Sequence, residues 1–337
     1  MKIRETLFCV LCIAGCLVSP VVSQIIPVDQ ALRPLRWDGS NSVMFLGAGL
    51  LQKSDPPIRA YANGIQRGPD LDIFKDFPGL SDLIVDDVTA GPNGSTLAAV
   101  VLRFSEKSVR HVILTYDSDG ALKEIWDTEP YYHLAIVADP NGNVFALGNR
   151  LDDDPTKPSY PLLIEYDHSG NILHEGLQSL VFPMGATGIN ESGRIRGPSL
   201  LLRGQHIIVY APEANDILVC GVDGMIKSRV NVSDVLERIK KQDKTKRLVL
   251  EDVFLVDDNT VILDINEHDK AEELKSNQSV DPSSIHPVLY SLDIPTGTFR
   301  PVLRTPSRNW KIAGVKTGTI SMFSLQGSRA SLKSVTF

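Results

Sequence analysis

Five short stretches hold side chains whose types and positions could do chemistry together: Asp86-Asp87, Tyr132-His133, Met184, Glu251-Asp252 and Trp310-Lys311. Each stands at or beside the head of an apolar run. Carboxylates, an imidazole and an ammonium flanked by aromatics suit a small polar ligand or a divalent cation. Asp87, His133, Glu251 and Asp252 are the best metal ligands of the set. The same groups can equally be committed to backbone and water, which is how most polar groups at strand ends are satisfied. Other catalytic patterns are missing. There is no G-x-S-x-G elbow, and Ser169 and Ser192 stand in turn sequences instead. After the first 23 residues the chain has no G-x-x-x-x-G-K-[ST] cradle, no C-x-x-C pair and no H-x-x-x-H pair, so no cofactor is predicted beyond that cation. Asp152, Asp153 and Asp154 read as a solvated acidic loop, because no calcium-loop ladder follows them.

What must position these residues is a repeated strand–turn–strand unit, clearest at residues 134–176. Its first hairpin turns at Asp139-Pro140-Asn141-Gly142 and its second at Asp167-His168-Ser169-Gly170. Each turn joins a side chain that starts a turn to a glycine that accepts positive φ. The flanking runs are rich in Val, Ile, Leu and Phe, which suit a pleated, buried surface. A unit this small cannot bury both faces alone, so it should recur. First-turn hairpins are read at 86–102, 134–148, 185–197, 251–265 and 311–323, and second-turn hairpins at 112–126, 162–176, 217–230 and 288–303. Their spacing, roughly 45 to 65 residues, is that of propeller blades with insertions.

The fold class expected is therefore an all-β propeller, most simply six blades with an irregular first blade from about residue 42 to 77. The last unit has only three runs (312–315, 319–325 and 330–337), so a segment within 25–35 is expected to close it as a fourth strand. Five or seven blades, or a β-sandwich, are the alternatives. The first-turn runs, above all HLAIVADPNGNVFALG at 133–148, resemble the inner strands of NHL-type and TolB-like propeller repeats. In those repeats small apolar residues precede D-x-x-G and an aromatic or aliphatic strand. The resemblance runs from about residue 86 to the C-terminus and departs at Asn259-Thr260, which replaces the turn glycine, and at Gly197-Pro198. It implies a fold and carries no activity with it.

The N-terminus reads as a secretory signal over 1–23. Lys2 and Arg4 precede an apolar stretch from Leu7 to Val22, broken by Pro20, and Val21-Val22-Ser23 precedes Gln24. Ile13-Ala14-Gly15-Cys16 resembles a bacterial lipobox, so lipid anchoring through Cys16 is the alternative to free export. Either route puts the protein in the periplasm or outside the cell, with no transmembrane segment in the mature chain. Three of the four cysteines lie in this leader, which leaves Cys220 alone and no intramolecular disulfide. Residues 24–337 are expected to form one propeller domain. A net charge of -7 weighs against a nucleic-acid partner.

In a propeller both kinds of tight turn fall on one face. The opposite face should carry the long connections, read here as 103–110, 149–160, 196–205 and 266–287 within blades and 127–133 and 231–250 between them. Residues 231–244 read as a helix capped by Asn231 or Ser233, with Val235, Leu236 and Ile239 on one side and a solvated basic face on the other. The nine residues named first should ring the channel mouth on that long-loop face. The function expected is non-catalytic binding of a protein or small polar ligand there. A metal-dependent hydrolase or lactonase, by similarity to enzymatic six-bladed propellers, is the alternative.

Overall fold

The hairpins of 134–176 close as their sequences demand. Asp139 Oδ1 accepts the N–H groups of Asn141 and Asn143, both at 2.8 Å, and Gly142 takes φ 93°. Asp167 does the same for Ser169 and Asn171, also at 2.8 Å, with Gly170 at φ 81°. These two side-chain-closed turns join strands Tyr131–Ala138, Val144–Arg150, Pro161–Tyr166 and Ile172–Gly176 into an antiparallel meander. The first two strands approach closely at Gly148, where a Cβ would lie 1.8 Å from the Tyr132 carbonyl oxygen. Gly148→Ala is therefore expected to cost about 3 kcal/mol, the upper end for overpacking. The check is a lower denaturant midpoint at unchanged m-value.

The structure is a computed structural model that describes residues 25–27, 35–37, 44–46, 49–54, 57–62, 65–150, 161–176, 199–211, 215–269, 285–304, 310–316, 318–326 and 329–336. The leader with Cys16, the Asp152 to Asp154 run, Met184 and the unit read at 185–197 lie outside the described residues.

Among the described residues six antiparallel sheets follow this plan, each led by one strand: Leu35–Trp37, Asp82–Ala90, Tyr131–Ala138, Ser199–Arg203, Lys246–Leu255 and Trp310–Lys316. Each lead strand touches the next, and the last touches the first, so the lead strands form a closed ring. The chain is a β-propeller. Its core lies between neighbouring sheets. Along Tyr131–Ala138, Ile136 packs toward Leu97, Ala99 and Ile113 of the second sheet, while Ala135 and Val137 pack toward Ile207 and Val209 of the fourth. An inner strand is thus buried on both faces, which is why its sequence is a near-continuous apolar run.

Strand Ile25–Pro27 pairs with the C-terminal strand Arg329–Thr336 (Ile25↔Ser331, Pro27↔Arg329) and becomes the fourth strand of the sixth sheet. The apolar run at 42–51 divides in two. Met44–Leu46 stays in the first sheet, whereas Gly49–Leu51 crosses to pair with the lead strand of the second sheet (Leu50↔Ile84). Leu51 enters the second-sheet core and Leu50 remains 56% exposed. A run apolar at nearly every position does not reveal where one strand ends and another begins.

Several connections are shorter than expected. Strands Thr96–Ser105 and Ser108–Tyr116 leave only Glu106 and Lys107 between them in place of a loop over 103–110. Ser199–Arg203 and His206–Ala211 form a hairpin turning at Gly204, φ 56°, where a loop over 196–205 was expected. Among the described residues that hairpin leads the fourth sheet. Thr260–Asp269 and Ile285–Asp293 shorten the 266–287 connection, and only residues 128–130 separate Leu122–Asp127 from Tyr131–Ala138. The reason is clearest at Thr96–Ser105 and Thr260–Asp269. Strand ends with one solvated face carry charged residues and read as loops, although the ladder continues through them.

Helix Val232–Gln242 is capped by Asn231, whose side chain accepts the Asp234 N–H at 3.3 Å, and buries Val232, Val235 and Ile239. Its basic side is partly engaged. Arg238 lies over the Phe299 ring at 5.4 Å and donates to the Gly297 carbonyl at 2.6 Å.

Candidate functional site

Four lead strands carry a β-bulge at the same level, between Val85 and Asp87, His133 and Ala135, Leu250 and Asp252, and Ile312 and Gly314. A bulge inserts one residue and turns the side chains beyond it. Asp87 follows the bulge in the second sheet and is 6% exposed. Its Oδ1 accepts the Val88 N–H at 3.0 Å and its Oδ2 accepts the N–H of Ile136, in the next lead strand, at 2.8 Å. Asp252 holds the Val253 N–H at 2.9 Å in the same way. Beside Asp87, Asp86 Oδ1 accepts the Tyr132 hydroxyl at 2.7 Å, and the Tyr132 ring meets His111 edge-on at 5.2 Å. Asp86, Asp87 and Tyr132 thus tie the second sheet to the third.

His133 points into the third sheet. It is 4% exposed, its Nε2 lies 2.7 Å from the Tyr166 hydroxyl, and its ring stacks on Tyr131 at 6.4 Å. Burial, with a smaller contribution from nearby His111, pushes its pKa down to about 3. Burial also raises the Tyr166 hydroxyl above its ordinary value. The imidazole therefore stays neutral in the fold but takes a proton in the unfolded chain below its ordinary 6.5. Stability is expected to fall as pH drops from about 6.5 toward 3, by at most about 1.4 kcal/mol per unit from this group. His133→Phe should flatten that part of the profile, read by urea unfolding at successive pH values.

In the fifth sheet, Glu251 is 5% exposed and its Oε1 accepts the Asn266 amide at 2.9 Å. Trp310 and Lys311 begin the sixth lead strand. Among the described residues no group of three or more His, Cys, Asp or Glu is placed to hold a metal ion. Cys220 is buried, and burial followed by Asp223 pushes its thiol up to about 12, so it stays protonated. Sequence reading missed the polar groups of Thr260–Asp269, in which Asn266, Glu267 and His268 are all buried. The signal was present as the alternation Asp264, Asn266, His268 inside an apolar strand.

The other end of the same strands holds a cavity of about 640 Å³. The C-terminal ends of three consecutive lead strands and their hairpin turns line it: Thr89 to Pro92, Val137 to Asn141 and Leu202 to Gln205. That volume lies within the usual range for small-ligand sites. Pro92 and His168 crowd Gly142, at 3.6 and 3.4 Å from where its Cβ would stand, so turns of adjacent sheets pack together beside the cavity. Of its polar groups, Asn141 comes from a turn read in the sequence as the tight-turn face, whereas Arg203 and Gln205 lie in the stretch 196–205, read there as a long connection of the opposite face.

No protein-family model matches the chain, and no curated protein matches it. Among solved structures it is similar to the GH74 xyloglucanase of Xanthomonas campestris, with 12% identity and a TM-score of 0.47 over 93% of this chain and 45% of that one. The chain therefore spans less than half the length of that enzyme. A DUF4221-family protein of Bacteroides vulgatus gives 11% identity and a TM-score of 0.43, covering 94% of this chain and 98% of that one. Hydrazine synthase of Kuenenia stuttgartiensis gives 8% identity and a TM-score of 0.39, covering 86% and 75%.

Proposed function

We propose that the protein is an exported, six-bladed propeller of the NHL/TolB-like kind that binds a small ligand without turning it over, and that the ligand sits among the tight turns. The cavity between three consecutive hairpins carries this reading. It has a ligand's dimensions and rigid walls, since each turn is closed by its own side-chain or backbone bonds. The acids expected at the opposite mouth support binding over hydrolysis. Asp87 has both oxygens on backbone N–H groups, Asp86 holds a tyrosine and Glu251 an asparagine. Binding at the long-loop end accordingly gives way to the turn end. A thermal-shift screen of the purified protein against small polar metabolites should return a stabilising compound. Amide exchange should then show protection at 137–142 and 202–205. Protection confined to the long-loop end, or turnover of the compound, would refute the reading. Export predicts Gln24 as the first residue of the protein recovered outside the cytoplasm, and a lipid-modified Cys16 there would establish the anchored form instead.

A further inference from the structure

The lining of the cavity narrows the chemistry of what it holds. Its charged side chains are Asp139 and Arg203. Asp139 is engaged by its own turn: Oδ1 takes two backbone N–H groups at 2.8 Å and Oδ2 takes the Asn141 amide at 3.3 Å. Its charge is therefore already met by donors, and it offers little to a cationic ligand. Arg203 is half-buried at the end of the fourth lead strand. It has an interaction within the protein, but a guanidinium carries five N–H donors and can serve a partner and a ligand together. Gln205 stands exposed two residues on and adds an amide. The remaining wall is aliphatic: Ala90, Pro92, Val137, Ala138, Pro140 and Leu202. No aromatic ring is among the lining residues described, so the platform on which a sugar or base would stack is missing.

Resting on the cavity being the ligand site, we infer that it takes a carboxylate with a short aliphatic body, its oxygens paired with the Arg203 guanidinium and its chain against the Val137 and Leu202 wall. A planar fork of donors fits a carboxylate with two parallel bonds, which an ammonium cannot reproduce. The carboxylate has two sources, a free small acid or the C-terminus of a peptide.

The test uses the purified protein with butyrate, butyramide and butylamine, and with N-acetyl-Ala-Ala as free acid and as amide. Binding is measured by ligand-observed NMR and located by amide exchange. Butyrate or the peptide acid is expected to bind at least about tenfold more tightly than its amide and the amine. Whichever acid is tighter identifies the source. Arg203→Gln should remove that preference while leaving the melting temperature within a few degrees. Arg203→Lys should keep part of it, and covers the case in which Arg203→Gln does not fold. Equal binding of butyrate and butyramide at 137–142 and 202–205, or a preference that survives Arg203→Gln, would overturn the carboxylate while leaving the cavity as a site. Tight butyrate binding without protection there would overturn the cavity itself.

Discussion

Asp87→Ala is expected to lower folding stability by about 4 kcal/mol. The carboxylate is 6% exposed and bonded to two backbone N–H groups, one in its own strand and one in the next sheet. Each charge-assisted bond is worth about 1.5 to 3 kcal/mol, and alanine leaves both donors without their acceptor in a buried setting. The loss should also be visible locally. The Ile136 amide depends on Asp87 Oδ2, so its exchange should accelerate beyond that of neighbouring strand amides. Asp87→Asn keeps one acceptor and should lose about half as much. A loss under about 1 kcal/mol for Asp87→Ala, measured by chemical denaturation, would mean that the bridge between the sheets is not a strong tie.

Glu267→Ala comes next, at about 3 kcal/mol. Glu267 is 4% exposed and accepts from Lys246 Nζ at 2.5 Å, Arg304 Nη2 at 2.9 Å and the Tyr290 hydroxyl at 3.0 Å. Removing it strands three donors. Arg304 is 52% and Lys246 29% exposed, so water takes up part of the loss, and the lower end of the range for breaking a buried pair applies. Burial by itself raises this carboxyl, but the bonds from Lys246, Arg304 and Tyr290 outweigh it and hold the pKa below the ordinary 4.5. The sign follows. The stabilisation is full above pH 4.5, where the unfolded carboxyl is also ionised, and is lost as pH falls through the depressed folded value. Glu267→Gln should remove that acid-side slope. A parallel slope in wild type and variant would rule the group out as its source.

The two substitutions act on opposite aspects of the scaffold. Asp87 fixes how one sheet meets the next, beside the lead-strand bulge, whereas Glu267 binds the second, third and fourth strands of the fifth sheet to the start of its lead strand. Neither lines the cavity, so a variant that still folds should retain ligand binding.

Much of the architecture was legible because its causes are local. An Asp that starts a turn and a Gly that takes positive φ sit within four residues of each other, so 139–142 and 167–170 could be read without any tertiary information. The helix at Val232–Gln242 was legible for a similar reason, since its cap and buried stripe obey short-range spacing. The closing strand was legible by count, because a final unit with three runs leaves an open edge that only another segment can cover.

The candidate site was much less legible. Polar residues stand out in the sequence at 86–87, 132–133 and 251–252, but the direction each side chain takes depends on a bulge that spacing does not mark. Burial then decided what those groups do: it placed Asp87 on the backbone of its neighbour and kept the His133 imidazole neutral against Tyr166. The crossing of Gly49–Leu51 into the second sheet and the extra length of the charged strand ends came from pairing with distant partners. The cavity arose in the same way, since it exists only where three hairpins separated by long stretches of chain come together. Sequence by itself determined the turns, the alternation and the repeated blade, because each follows from forces acting over a few residues. Only the tertiary structure decided where the cavity forms and which polar groups are already satisfied, because both depend on how distant segments pack.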